Sequence, residues 1–237
     1  MQGTSEQARD AAMLARIPLF ASFNEKDRAA VAARMRTRRF AKHALLVREN
    51  DSGDALFVVL RGNVAVTRAT GDGKENILSI LKEGDFFGEM AVLDASPRSA
   101  TIKALEEVDV AMLARDDFLD VLGSNPRMAV GLVVTLSARL RATNENIQAA
   151  AFLDVPTRLA ALLLNLSNNF GEHTADGVRL TLRLTNQEMA NMIGTTRESV
   201  NRTLNRFWDE RLIDMRDAHL IIKNPAGIGA VAGKARG

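Results

Sequence analysis

Residues Thr185 to Ile213 read TNQEMANMIGTTRESVNRTLNRFWDERLI. Thr185-x-x-Glu188 is a capping box, and Thr195-x-x-Glu198 repeats it ten residues later, so two helices are expected to start within this stretch. Ile193-Gly194 supplies the tight turn between them. The second helix sets Val200, Leu204 and Phe207 inward and leaves Arg197, Asn201, Arg202, Asn205 and Arg206 on its polar surface. A short helix, a glycine turn and a longer basic helix form a helix-turn-helix pattern. Arginine can grip guanine O6 and N7 through two parallel hydrogen bonds, and glutamate can accept from cytosine N4. Arg197, Glu198 and Arg202 are therefore candidates for reading base edges, with Ser199 and Asn201 beside them and Thr185 and Thr196 suited to phosphates. The plainer reading is a solvated basic helix with routine caps. Paired caps around a glycine turn, followed by a strand pair, favour DNA.

Working outward, the strand pair lies around LIDMRDAHLIIK with a turn near Asp217, and the tail AGIGAVAGKARG is expected to fray. Upstream come an alternating strand, VRLTLRL, and a helix from Thr157 to Phe170. Asp154-Val155-Pro156 interrupts the helical pattern and is the expected hinge, because proline disfavours helical geometry in the residue before it. From Val155 onward there are 11 Lys/Arg against 8 Asp/Glu, a small basic excess in a chain of net charge +2.

Before the hinge, Leu132, Leu136, Leu140, Thr143 and Ile147 follow one another by four, four, three and four, an apolar stripe on a helix opening at Asn125. That helix has no strong breaker over some 27 residues after Pro126, which suggests a coiled-coil-like seam between subunits over packing on its own domain alone. From Arg38 to Leu113 the pattern changes to short runs, LFVVL, NVAVTRA, NILSIL, ATIKAL and DVAMLA, separated by DSGD, RGN, TGDGK and KEGD. Such spacing predicts an all-β sandwich or barrel, with Gly53, Gly62, Gly73 and Gly84 in its turns. A short helix capped by Asn24 precedes it, with Ala29, Ala30, Ala33 and Met35 at roughly helical spacing.

Composition is that of a folded soluble protein, with 46% hydrophobic and 25% charged residues. The first twenty residues have no basic region leading into an apolar one, so no signal peptide is expected, and no run suits a membrane span. A cytoplasmic location is expected. With no cysteine, thiolate metal sites and redox thiols are excluded, and His43, His173 and His219 show no metal-ligand spacing, so no metal or cofactor is expected. No P-loop, nucleophile elbow or HExxH is present, and an enzyme is not expected.

TRESVNRTLNRFWDERLI closely resembles the SRETVxRxLxxLExxxLI pattern of the CRP/FNR family of bacterial transcription regulators. GDFFGEMAVLDASPRSATIKA, residues 84–104, looks like the phosphate-binding cassette of cyclic-nucleotide-binding domains, and the resemblance covers nearly the whole chain. It implies an α+β chain with a cyclic-nucleotide-binding β-roll, jelly-roll-like, over residues 1–124. A long dimerisation helix and hinge would follow over 125–154, and a winged helix-turn-helix over 155–237. It also implies recognition roles for Arg197, Glu198 and Arg202 on an inverted repeat of TGTGA-like half-sites, in a homodimeric regulator, activator or repressor, that works with RNA polymerase.

Within the cassette, which also holds Asp85, Asp94 and Lys103, Glu89 and Arg98 stand nine positions apart with apolar and small neighbours. As a bare pair they read as a surface ion pair worth about 0 to 1 kcal/mol. A cyclic nucleotide would use them separately: Arg98 offers a planar guanidinium to phosphate oxygens and Glu89 accepts from a ribose hydroxyl. EMAVL after Gly88 would form a short helix presenting backbone N–H groups of Met90 and Ala91, while Ser99 and Ala100 are small enough for close approach. The resemblance assigns Gly88 and Glu89 to ribose, Arg98 and Ser99 to phosphate and Thr143 to the base, and suggests that Arg139 approaches Glu89 in the bound state. Members responsive to cyclic AMP often have serine after that threonine, where this chain has Asn144, whose amide both donates and accepts. Cyclic AMP is the expected effector, with cyclic GMP or cyclic di-GMP as alternatives. A regulator active without ligand, and a sensor controlling another protein, are the competing readings.

Overall fold

The computed structural model describes residues 14–69, 71, 73 and 75–233. Most of the opening segment, three residues of the TGDGK turn and the last four residues of the tail lie outside the described residues. The chain divides into two units, one up to Leu140 and one from Arg141 onward.

In the first unit a 3-10 turn at Pro18–Phe20 leads to α1 (Glu25–Ala32). Asn24 caps α1, its side chain accepting from the Asp27 N–H at 2.8 Å. The helix buries Val31 and Ala32, whereas Ala29, Ala30 and Ala33 are exposed, so its inward face is not the one suggested by alanine spacing. Strands follow as β1 (Arg36–Phe40), β2 (Leu45–Val47), β3 (Ala55–Arg61), β4 (Val64–Ala69), β5 (Glu75–Leu81) and β6 (Phe86–Phe87). Then come α2 (Glu89–Asp94), β7 (Thr101–Ala104), β8 (Val108–Ala114) and α3 (Arg115–Ser124). Two antiparallel four-stranded sheets result, ordered β1-β8-β3-β6 and β2-β7-β4-β5.

The unbroken apolar run of β3 has a period-two explanation. Leu56, Val58 and Leu60 face a cluster with Phe20, Phe23, Phe118 and Met128, while Ala55, Phe57 and Val59 face a second cluster with Val64, Ile102 and Val110. Each of these side chains larger than alanine contributes about 1.5–3 kcal/mol when fully buried. Strand β1, RTRRF, has four exposed residues out of five and carries no apolar alternation, which hides it from periodicity. It lies at a sheet edge, where charge discourages further strand pairing, and Arg39 donates to Asp109 of β8 at 2.6 Å.

The long helix α4 spans Pro126–Phe152. Its stripe does not have one destination: Met128 and Leu132 are buried and Leu136 packs against the α1 and α3 core. Val133, Leu140 and Ile147, one heptad apart, are 62%, 62% and 63% exposed.

The second unit contains α5 (Val155–Phe170), β9 (Gly171–Thr174), β10 (Gly177–Leu180), α6 (Asn186–Ile193) and α7 (Arg197–Asp209). It closes with β11 (Ile213–Arg216), β12 (His219–Ile222) and α8 (Pro225–Gly233). Its sheet is antiparallel in the order β11-β12-β10-β9, with Asp217 and Ala218 both at positive φ in the β11–β12 turn. The strand expected over residues 178–184 stops at Leu180, because Thr181 turns back to donate both its N–H and its hydroxyl to the Phe170 carbonyl. Nor is the tail frayed over its described length. Pro225 opens α8, Asn224 accepts from the Gly227 N–H at 2.8 Å, and Ile228 is fully buried. Among the described residues no helix is long and apolar enough to cross a membrane.

Candidate functional site

In the first unit the cassette is built where β6 ends and α2 begins. Gly88 takes φ +86°, and a Cβ there would overlap the Arg98 guanidinium and lie 3.0 Å from the Ala55 carbonyl oxygen. Only glycine combines that backbone with that proximity. Residue 98 is clamped through its main chain, its N–H donating to the Asp51 carbonyl at 2.8 Å and its carbonyl accepting from Asn50 at 2.9 Å. The Arg98 side chain is buried; NH1 donates to the Gly88 carbonyl at 3.1 Å and NH2 to the Ala55 carbonyl at 2.9 Å. The guanidinium also sits 5.4 Å from the Phe57 ring centroid, and Phe57 stacks on Phe87 at 4.9 Å. Burial pushes the Arg98 pKa down, opposed by the charges of Asp54 and Glu89; the starting value for arginine is so high that the group stays cationic.

Glu89 is buried and forms no ion pair with Arg98. Its Oε1 accepts from Arg139 NH1 at 3.0 Å. Arg139 NH2 donates to the Phe86 carbonyl at 2.6 Å, and its guanidinium lies 4.7 Å from the Phe86 centroid. The surface ion pair considered for Glu89 and Arg98 is thereby replaced by two separate attachments. Glu89 Oε2 is buried and accepts no hydrogen bond. A buried carboxylate oxygen without a donor is costly, so it marks a position where a donor brought by a ligand would be welcome. Met90 and Ser99 are exposed, Ala91 and Ala100 are buried, and Ser99 Oγ donates to Met90 Sδ at 3.6 Å.

Gly53, read from sequence as a turn residue, has no positive φ. A Cβ there would overlap Ala91 Cβ and lie 2.9 Å from Arg98 Nε. It is a close-approach glycine beside the guanidinium, and only the fold reveals it; the same holds for Phe57. Thr143 and Asn144 lie on α4 past Leu140, both exposed.

In the second unit the Thr185–Glu188 capping box is complete. The Thr185 oxygen accepts from the Glu188 N–H at 3.1 Å, and Glu188 accepts from the Thr185 N–H at 2.7 Å. The second box does not form: Thr196, not Thr195, caps α7, accepting from the Ser199 N–H at 3.2 Å, and the residue at its third helical position is Ser199 and not a glutamate. Both hydroxyls proposed for phosphates are therefore engaged in caps, Thr185 Oγ1 donating to Glu188 at 2.8 Å and Thr196 Oγ1 to Ser199 Oγ at 3.1 Å. Gly194 makes the left-handed turn between α6 and α7. Val200 and Phe207 are fully buried and Thr203 nearly so, its hydroxyl donating to the Ser199 carbonyl at 2.8 Å. Arg197, Glu198, Asn201 and Arg202 are exposed together on α7, where charges can meet a groove. The sequence reading left out Asn186, whose amide donates to Asn201 Oδ1 at 3.2 Å and orients it, and Val155 and Pro156, which line a cleft with Ser199, Arg202, Thr203 and Arg206.

Residues 37–125 match the family model of the cyclic nucleotide-binding domain, and residues 157–230 that of the Crp-like helix-turn-helix domain. The chain is 31% identical over 212 residues to a CRP-like cAMP-activated global transcriptional regulator of Mycobacterium tuberculosis, covering 90% of this chain and 95% of that protein. The chain belongs to the CRP/FNR family of transcription regulators. A second relative, the cAMP-activated global transcriptional regulator CRP of Pasteurella multocida, is 33% identical over 186 residues, 78% of this chain and 88% of that one. Among solved structures, the c-di-GMP responsive global regulator CLP of Xanthomonas campestris superposes with a TM-score of 0.70 at 25% identity, covering 80% of this chain and 94% of that one. As a CRP/FNR member the chain is a DNA-binding transcription regulator, not an enzyme, and carries a β-roll that takes a cyclic nucleotide, a long helix and a winged helix-turn-helix.

Proposed function

We propose that this protein is a homodimeric, cytoplasmic transcription activator controlled by cyclic AMP, which binds an inverted repeat of TGTGA-like half-sites and acts with RNA polymerase. The observation that carries the effector reading is Glu89 Oε2, an acceptor buried without a donor. The 2'-hydroxyl of a ribose satisfies it without bringing a second negative charge. Arg98, cationic and held in place beneath Gly53 and Gly88, would take the phosphate with Ser99. Thr143 and Asn144 are proposed as the base-reading pair. The two relatives named as cAMP-activated favour cyclic AMP, while the c-di-GMP responsive neighbour and the amide of Asn144 make cyclic di-GMP and cyclic GMP the alternatives to test.

The exposed heptad of Val133, Leu140 and Ile147 supports dimerisation, since an isolated chain would leave these side chains in water. Two recognition helices would then enter successive major grooves about 34–36 Å apart, read by Arg197, Glu198 and Arg202. Ligand switches such a dimer only through different affinity for its two arrangements. Calorimetry with cyclic AMP, cyclic GMP and cyclic di-GMP, followed by mobility shifts on the inverted repeat with and without nucleotide, tests this. Cyclic AMP should bind and strengthen the shift. Binding of cyclic di-GMP alone would reassign the effector, and a tight shift unaffected by any nucleotide would establish a ligand-independent regulator.

A further inference from the structure

One side chain of the cassette carries chemistry that nucleotide binding does not use. Met90 is 50% exposed, and its sulfur accepts the hydroxyl of Ser99, the residue beside Arg98. On the six-residue α2, Ala91 and Val92 are buried while Met90 and Leu93 face water, so nothing on that helix shields the thioether. The chain has nine methionines and no cysteine, so methionine is the only sulfur available to an oxidant.

We propose that Met90 is a reversible oxidation site whose sulfoxide form weakens cyclic-nucleotide binding, an inference that rests on the nucleotide reading of the cassette. The oxidant is a peroxide. A sulfur lone pair attacks one oxygen of hydrogen peroxide, the O–O bond breaks as the S–O bond forms, and the departing hydroxide collects a proton and leaves as water. Sulfur loses two electrons and the peroxide gains them. The product is polar where the thioether was soft and apolar, and methionine sulfoxide reductases reverse the change. Its oxygen is a stronger acceptor than the thioether, so it holds the Ser99 hydroxyl more firmly. It also puts the negative end of a dipole beside the place proposed for phosphate. Losing a hydrogen bond to a charged group corresponds to about a tenfold to hundredfold weaker affinity.

The test uses the full chain, hydrogen peroxide as oxidant and cyclic AMP as probe, or whichever of the three nucleotides binds the untreated protein. Peptide mass spectrometry locates the added oxygen, and calorimetry gives the affinity before and after treatment. The expected result is oxygen on Met90 and at least a tenfold loss of affinity, recovered by methionine sulfoxide reductase. In Met90→Leu, compared only with itself before and after peroxide, the ratio should stay near one. Met215, 45% exposed on β11 in the other unit, is the internal control: Met215→Leu should keep the loss. Oxidised Met90 with unchanged affinity, a loss that persists in Met90→Leu, or oxidation of Met215 while Met90 is spared would each overturn the proposal. An untreated protein that binds none of the nucleotides overturns the functional reading itself, and this proposal with it.

Discussion

At the scale of single residues, the cassette shows which contacts a sequence can reveal. Glu89 and Arg98 stand out because each has apolar or small neighbours on both sides, and their separation of nine positions says nothing about partners. The structure gives them different attachments, Glu89 to Arg139 and Arg98 to the carbonyls of Gly88 and Ala55, neither of which follows from local spacing. Gly53 was unreadable for the same reason: its constraints are Ala91 and Arg98, distant in sequence, and not its own backbone. Gly53→Ala should therefore force the Arg98 side chain aside. Overpacking of this kind costs about 1–3 kcal/mol. Urea unfolding should show that loss, together with weaker nucleotide binding by calorimetry; wild-type values for both would contradict the close approach.

At the scale of elements, the starts of α1, α4, α6 and α7 were legible to within one residue, while α5 begins two residues before the expected Thr157 and α3 was not read. The box at Thr185 was placed correctly because both partners sit in the local sequence, but of two adjacent threonines the spacing to Glu198 picked Thr195, and the fold chose Thr196. Asp154 caps α5 in the same manner. Hydrogen bonds from the Thr157 side chain, then from its backbone N–H, hold the Asp154 carboxyl below the ordinary aspartate range, assisted by Arg206 and Arg158. A carboxyl whose pKa is depressed in the folded state gives its stabilisation fully above the unfolded value and loses it as pH falls through the folded one, here below about pH 4. Asp154→Ala should cost about 1 kcal/mol at neutral pH. Asp154→Asn should keep most of the cap while flattening the decline in acid. Urea titrations at stepped pH distinguish them, and equal acid sensitivity in wild type and Asp154→Asn would remove the carboxyl from the account.

At the scale of the whole molecule, the change from strand-like to helical periodicity announced an all-β sandwich or barrel and a long helix, and the family resemblance narrowed the first to a β-roll. Strand β1 escaped because its arginines mask any alternation, and the described part of α8 escaped because a glycine-rich segment looks unstructured until Ile228 is seen to be buried. The long stripe was visible but its division was not, since Leu132 and Leu140 look alike until one is buried and the other is not. Leu140→Asp should disrupt association while sparing the fold. Sedimentation should report monomers and the inverted repeat should no longer be held tightly; an intact dimer would place the interface elsewhere. The two charges of the cassette also face unequal selection. Arg98 serves folding as well as its proposed ligand, because an apolar replacement takes the donor from the buried Ala55 carbonyl, whereas the Gly88 carbonyl keeps the Val92 N–H. Glu89 holds Arg139 through one oxygen and keeps the other without a donor, open to the proposed ligand. In a descendant that stopped listening to its nucleotide, the glutamate would drift first and the arginine would linger, a relic kept by the fold after the signal had gone.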